Sequence, residues 1–351
     1  MSESVVLEGA VCPVPVRKRG KVILGHGSGG KLTHDLINDL FLPALESPAL
    51  LAGNDAAVVP ELGFRLAVST DSHVVDPLFF PGGDIGRLAV CGTVNDVAMM
   101  GAQPLYLTAG FILEEGLELS VLERVVDSMR IAAEEAGVQI IAGDTKVVER
   151  GKADGLYINT SGIGRLADNV TVSGDMAQPG DVIILSGPVG DHGIAVLEAR
   201  GDLGFESNIL SDVAPLNHLV ASLLAISQIR VLRDPTRGGI ASALNEISRQ
   251  SKVGILLNET DIPVRPAVQA ACEMLGFDPF YIANEGKLLA VVPAKDAGKV
   301  LECMRSFTVS QEAVVIGEVS SDPPGRVLLK TAIGGTRIVD MLAGEILPRI
   351  C

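Results

Sequence analysis

The chain finishes in Glu345-Ile346-Leu347-Pro348-Arg349-Ile350-Cys351, so its last thiol stands beside a terminal carboxylate with no later side chain to pack over it. A free terminus moves unless something ties it down. A cysteine there can enter another protein's active site or swing back into its own. Pro348 stiffens the approach, and Ile346, Leu347 and Ile350 give the tail apolar surface with which to dock. From Met341 to Cys351 a fully extended tail reaches roughly 33–36 Å, enough to cross a domain.

Gly25-His26-Gly27-Ser28-Gly29-Gly30-Lys31 satisfies the GxxxxGK pattern, but the hydroxyl residue that binds Mg2+ in a P-loop is replaced by Leu32. A Walker A site is therefore excluded. Four glycines with a Lys and a His still permit close backbone approach to phosphates, and a phosphate-covering loop is favoured over a plain turn before a helix.

Five aspartates each close an apolar run: Asp55, Asp71, Asp96, Asp144 and Asp234. Any one of them alone is explained by a helix cap or an Asx turn. As a set beside small residues they read better as ligands of a metal–nucleotide complex, because Mg2+ takes hard oxygen ligands and bridges carboxylates to phosphates. Ala283-Asn284-Glu285-Gly286-Lys287, on spacing alone, is a polar turn before a strand.

The chain has 351 residues, 47% of them hydrophobic, which allows two ordinary domains. Aromatics are 3%, Trp is absent and the net charge is -15. Too few rings for base stacking and an acidic surface argue against nucleic acid. The five cysteines are odd in number and none is in CxxC spacing, which disfavours disulfides and zinc and points to reduced cytosol. The first twenty residues lack the order of a signal peptide, and no apolar run is long enough to span a bilayer. A cytoplasmic protein is expected.

To position these residues, the periodicity predicts strands at Arg65–Ser69, Pro104–Ile112, Val138–Ile141 and Leu156–Gly164, with helices at Leu32–Leu45, Ile85–Met100 and Ser120–Ala136. After the turn Gly174–Gly180 a second set predicts strands at Val182–Ser186, Gly254–Leu257, Leu288–Val292, Val314–Val319 and Arg326–Leu329. Helices are expected there at Gly193–Ala199, Val213–Ile226 and Gly239–Arg249. The reading is an α+β chain of two α/β-type domains cut near residue 170: an extension 1–20, an N-terminal domain 21–170, a C-terminal domain 171–340 and a mobile tail 341–351.

Taken together the motifs resemble the HypE family of hydrogenase maturation factors, within the aminoimidazole ribonucleotide synthetase and selenophosphate synthetase superfamily. The resemblance spans nearly the whole chain. It rests on GHGSGGK (25–31), STDSHVVDPLFFPGG (69–83), CGTVNDVAMMGA (91–102), GFILEEGL (110–117), GDTKVV (143–148), GDHG (190–193), RDPTRGG (233–239), ANEGKL (283–288) and the terminal PRIC (348–351). PRIC is the specific element; the aspartate motifs name only the superfamily.

The resemblance implies an enzyme that dehydrates a carbamoyl group carried on its own Cys351. A carbamoyltransferase, HypF, loads the thiol; ATP drives the thiocarboxamide to a thiocyanate; the cyanide passes to iron on the HypC–HypD complex for NiFe hydrogenase. It further implies Mg2+ on Asp55, Asp71, Asp96 and Asp234. Gly27, Ser28, Gly29, Gly30 and Lys31 would close over the ATP phosphates, with Asn95, Asp144, Thr145, Gly238 and Gly239 near the nucleotide. The base that removes an N–H is expected to be Glu285 or His26, with Lys146 as an electrostatic partner. A homodimer is expected, its N-terminal sheets pairing across a twofold axis. The rival expectation is a small-molecule phosphotransferase of the selenophosphate synthetase or thiamine-monophosphate kinase type; a non-catalytic scaffold docking by its C-terminal peptide would need neither the aspartates nor the glycine loop.

Overall fold

Side-chain alternation sets the first sheet. In the computed structural model, which describes residues 30–36, 38, 54, 57–59, 65–201, 208–344 and 347–351, five strands pair in the order β1 (Ala57–Val59), β2 (Arg65–His73), β7 (Leu156–Leu166), β5 (Gln103–Glu114), β6 (Gln139–Val148). Neighbours are antiparallel except β5 and β6, which run parallel. Along β7 every second residue is buried, so one face is packed and the other is not. The packed face meets α2 (Ile85–Met99), with α3 (Leu119–Ala136) beside it. Buried on nearly every side, α2 is apolar or small at every position but Arg87, Asn95 and Asp96. It starts at Asp84, whose carboxylate accepts the N–H groups of Gly86 (2.7 Å) and Arg87 (3.1 Å).

The second sheet has seven strands in the order β14 (Thr336–Val339), β13 (Val327–Lys330), β10 (Gly254–Asn258), β12 (Val314–Ser320), β8 (Asp181–Leu185), β11 (Leu289–Pro293), β9 (Val231–Arg233). Only β10 and β13 are parallel. α6 (Gly239–Ser251) covers one face, packing Ile240, Leu244 and Ile247 against Ile183, Leu185 and Val291. α5 (Asn217–Ile226) and α8 (Ala297–Arg305) cover the other, in a core that also takes in Ala98 and Met99 of α2. α2 thus packs into a core of each sheet. α4 (Asp191–Arg200) and α7 (Pro266–Leu275) pack together around Ile194, Val268 and Cys272. The short helix α1 (Lys31–Leu36) and the two-strand pair β3 (Phe79–Phe80) and β4 (Gly83–Asp84) complete the elements used below.

The mixed α+β content is as expected, and the departures have physical reasons. β6 runs on to Val148, well past Ile141, because β5 supplies backbone partners as far as Glu114. Its Gly143, Asp144 and Lys146 are tolerated because β6 is an edge strand, exposed at nearly every position. α5 starts at Asn217 rather than Val213, because the Leu216 N–H is held by the Asn95 side chain at 2.8 Å. Two helices escaped the sequence reading: α7, opened by Pro266 and closed by Gly276 at φ 70°, and α8. The described part of the first expected helix is Lys31–Leu36. The carboxylates expected at strand ends are differently placed: Asp71 lies within β2, Asp96 within α2, and only Asp234 directly follows a strand.

Candidate active site

The packed face of β2 carries Ser69, Asp71 and His73 at successive inward positions. α2 crosses them closely at Gly92, where an added Cβ would stand 3.2 Å from the His73 ring and 3.4 Å from the Asp71 carboxylate. Farther along α2, Asp96 accepts the Ser69 hydroxyl at 2.6 Å. His73 is buried with neither ring nitrogen hydrogen-bonded, its Nε2 3.5 Å from Asp71 Oδ2. Burial pushes its pKa down, against the pull of Asp71, so it is neutral.

The second sheet supplies Asp234 and Arg237 from the turn between β9 and α6, and Glu285 from the segment before β11. Asn284 ties these pieces together. Its Oδ1 accepts the Gly190 N–H (2.8 Å) and its Nδ2 donates to the carbonyls of Pro235 (2.9 Å) and Ile282 (3.1 Å). Asp212 holds the backbone on each side of Gly286: it accepts the Glu285 N–H at 3.0 Å and forms a buried ion pair with Lys287 at 3.1 Å. Position 286 must be glycine, since a Cβ there would fall 1.7 Å from the Asp212 carbonyl oxygen.

Glu285 is 4% exposed. Burial raises its pKa well above the usual carboxylate range, and the negative charges of Asp71, Asp234 and Asp212 add to the rise, with Arg237 opposing. Such a carboxyl binds a proton more tightly than an exposed one, which suits it to proton transfer. Arg237 is drawn further into its charged form, first by the charge of Cys351 and then, against burial, by Asp71, Glu285 and Asp96. One arginine thus feels the charge of both the acidic group and the terminal residue.

The tail, expected to be mobile, is seated. It lies beside Val74–Asp76, directly after β2. The Val74 N–H donates to the Cys351 carbonyl (3.1 Å) and the Asp76 N–H to that of Arg349 (3.2 Å). Arg349 Nε donates to the Val74 carbonyl (3.2 Å), and its guanidinium also pairs with Asp154. Arg200 donates to the Asp76 carbonyl (2.6 Å) and to the Arg349 carbonyl. Ile350 is 4% exposed and, with Leu347, joins the core of the first half.

Of the expected site residues, the structure brings together Asp71, Asp96, Asp234, Glu285 and Cys351. It does not bring in Lys146 or Asp144. These pair with each other at 2.7 Å on β6, and the Asp144 pKa is lowered by that bond. Asp144 shares the unpacked face of the sheet with its partner Gly110, while Thr145, facing the other way, is exposed. Lys146 is therefore no partner of Glu285 within one chain, which corrects that expectation. Asn95 is corrected too: its amide is spent on the Ala214 carbonyl (3.1 Å), the Glu285 carbonyl (3.4 Å) and the Leu216 N–H, which makes it a strut between the halves. Gly238 and Gly239 have φ of 78° and 58°, and a Cβ on Gly239 would meet the Phe280 carbonyl at 2.4 Å, so the turn itself calls for glycine. Gly30 is buried against Leu342, whose carbonyl accepts the Lys31 N–H at 2.7 Å; the Lys31 side chain is exposed. His26, Gly27, Ser28, Gly29 and Asp55 lie outside the described residues.

Sequence reasoning gave no role to His192, Arg200, Asp212 or Arg237. His192 and Arg237 stand inside the motifs GDHG and RDPTRGG, and that was the available signal.

Among the described residues no three His, Cys, Asp or Glu side chains form a ready-made metal cage. The carboxylates around Glu285 are hard donors whose mutual repulsion a cation would relieve.

The fold and this acidic, two-sided site define a protein of the AIR synthase related class. The family described as AIR synthase related protein, N-terminal domain, matches residues 53–166, and its C-terminal domain matches residues 178–330. The carbamoyl dehydratase HypE of Cupriavidus necator is 54% identical over 336 residues, covering 95% of this chain and 96% of that protein. A crystal structure of hydrogenase maturation protein HypE in complex with ATP superposes with a TM-score of 0.79 at 51% identity, covering 94% of this chain and all of the other. One of a HypE–HypF complex reaches 0.83 at 50% identity over 88% of this chain and 99% of the other. The chain belongs to the carbamoyl dehydratase HypE family.

Proposed function

We propose that this chain uses ATP to dehydrate a carbamoyl group carried on its own Cys351, yielding a thiocyanate that supplies cyanide to the iron of NiFe hydrogenase. The observation that carries the reading is the seated tail, which holds Cys351 beside Val74 and near enough for its charge to act on Arg237, the arginine that also feels Asp71, Asp96 and Glu285. A carbamoyl oxygen is a poor leaving group. Transfer of the γ-phosphoryl of ATP to that oxygen makes phosphate the leaving group, a step that needs positioning and charge neutralisation above all. The nitrogen then gives up its second proton as the C–O bond breaks and the nitrile forms. Glu285 is the described residue placed to take a proton there, and Arg237 to neutralise the departing phosphate.

Asp71, Asp96 and Asp234, with Asp55 as a further ligand, would hold Mg2+, which would supply positive charge to offset that of the phosphates. The relative solved with ATP supports the nucleotide, and the relative solved with HypF supports a carbamoyltransferase as partner. The HypC–HypD complex as cyanide acceptor follows from the same function. The domain limits proposed are 21–170 and 171–340, with the tail from 341. Among the described residues no helix is long and apolar enough to cross a membrane, and a cytoplasmic location is part of the proposal.

A homodimer is supported by the unpacked face of the first sheet, which leaves Val68, Tyr106 and Ile112 exposed. Asp144 and Lys146 stand on or beside that face, so the part of Asp144 in nucleotide binding and that of Lys146 as an electrostatic partner would be played across the interface.

The reading is tested by phosphate release. It should require carbamoylated Cys351 and stop in Cys351→Ala. Turnover of ATP with an added small molecule and an unmodified tail would favour the phosphotransferase instead.

A further inference from the structure

We infer that His192 is a positioning residue: it holds the terminal cysteine in its docked seat by donating its Nε2 proton to the carbonyl of Ile350. The inference rests on the reading of Cys351 as the working residue and adds the group that orients it.

The geometry is specific. His192 is completely buried, with Nε2 2.8 Å from the Ile350 oxygen and Nδ1 2.8 Å from the Ser211 hydroxyl. Ser211 Oγ also accepts the Val213 N–H at 3.2 Å. With that lone pair used, the hydroxyl proton is free to be given to Nδ1, which leaves the ring hydrogen on Nε2, where the tail carbonyl lies. The ring plane is fixed as well, since Phe80 meets it edge-on at 5.4 Å and 86°.

The seat grips successive carbonyls. That of Arg349 is held by the Asp76 N–H and Arg200, that of Ile350 by His192, and that of Cys351 by the Val74 N–H. The Ile350 carbonyl belongs to the peptide unit that ends at the cysteine Cα. Because that unit is planar, fixing its oxygen fixes the line of the Cys351 N–Cα bond, and the Val74 N–H bond to the terminal carboxylate limits rotation about that line. The two bonds together confine the Cys351 side chain. His192 acts through the backbone and is assigned no proton of the reaction. Gly193, next to it, lets Leu347 approach: a Cβ there would stand 3.1 Å from the leucine Cδ1.

The test compares His192→Gln with His192→Asn and His192→Phe in the full chain. Gln places an amide N–H near the Nε2 position, Asn near the Nδ1 position, and Phe neither. Iodoacetamide labelling of Cys351, followed by peptide mass, should be roughly tenfold faster in Asn and Phe, from loss of one buried hydrogen bond, and near the natural rate in Gln. Loading by the carbamoyltransferase should be kept in all three. Dehydration of the loaded tail should fall in Asn and Phe and recover in Gln. Equal labelling in Gln and Asn, both at the natural rate, would overturn the inference, and this pair decides the matter even where Phe does not fold. Because labelling needs no ATP chemistry, a failure of the carbamoyl reading would show separately, as absence of dehydration in the unaltered chain.

Discussion

At the scale of the residue, five side chains far apart in sequence act as one electrostatic unit, and the thiol they serve differs from the other described thiols by its surroundings. Cys91 is buried, and its pKa is pushed up to about 12, chiefly by burial; that of Cys272 is raised to about 11 for the same reason. Neither is a thiolate at neutral pH. Cys351→Ala should therefore abolish the carbamoyl adduct without transferring it to Cys91, as read by peptide mass; an adduct on Cys91 would refute the assignment. Protein stability should decline as pH climbs above about 9, since the folded state keeps on Cys91 a proton that the unfolded chain loses from there upward. Asp71→Asn and Asp234→Asn should each cut ATP turnover by roughly two orders of magnitude, the scale of losing one preorganised charge, with the loss partly relieved by excess Mg2+. Unchanged turnover in both would remove the metal assignment.

At the scale of the element, the working part is the strip from Asp71 through Asp76 with the tail laid along it. Ile350→Ala should cost docking roughly 2 kcal/mol, about 30-fold in the docked-to-free ratio, measured by the rate of thiol labelling. Two residues inserted before Pro348 should spare loading and damage dehydration, because catalysis suffers from displacements of about 1 Å. Burial lowers the His192 pKa below 6.5, with Asp212 and the bond to Ile350 pulling upward. The folded state thus takes up fewer protons at this ring than the unfolded chain, so its contribution to stability is complete above pH 6.5 and is lost as pH falls below it. The midpoint of thermal unfolding should fall in that direction, less steeply in His192→Gln; an identical profile in the two would contradict this. Much of this level was legible in the sequence. Strand Leu156–Gly164 and helix Ile85–Met100 fall within two residues of β7 and α2 because their periodicity is strong. The aspartate set and Glu285 were legible as motifs. The pairing of His192 with Ile350 was not, since it joins positions 158 apart. Nor was the spending of Asn95 on backbone, because an amide in a motif looks the same whether it meets a ligand or a loop. That Lys146 pairs with Asp144 on the exposed edge strand was not legible either, since the motif GDTKVV does not tell which side of the sheet its lysine takes.

At the scale of the whole molecule, α2 contributes to the core of the first sheet and to one core of the second, and Asn95 on it bonds the carbonyls of Ala214 and Glu285 from the other half. The exposed sheet face carries the quaternary proposal. Tyr106→Asp with Ile112→Asp should yield a monomer by sedimentation with unchanged circular dichroism, as both side chains are already exposed. A persistent dimer would move the interface elsewhere. The central claim, that the terminal thiol is the carrier and ATP removes water from what it carries, is tested most directly by intact-protein mass. Incubation with the carbamoyltransferase should add one carbamoyl group, and subsequent Mg–ATP should remove the mass of one water, both changes mapping to Cys351. A carbamoyl adduct that stays unchanged in mass through ATP hydrolysis, or one that maps to another residue, would contradict the account.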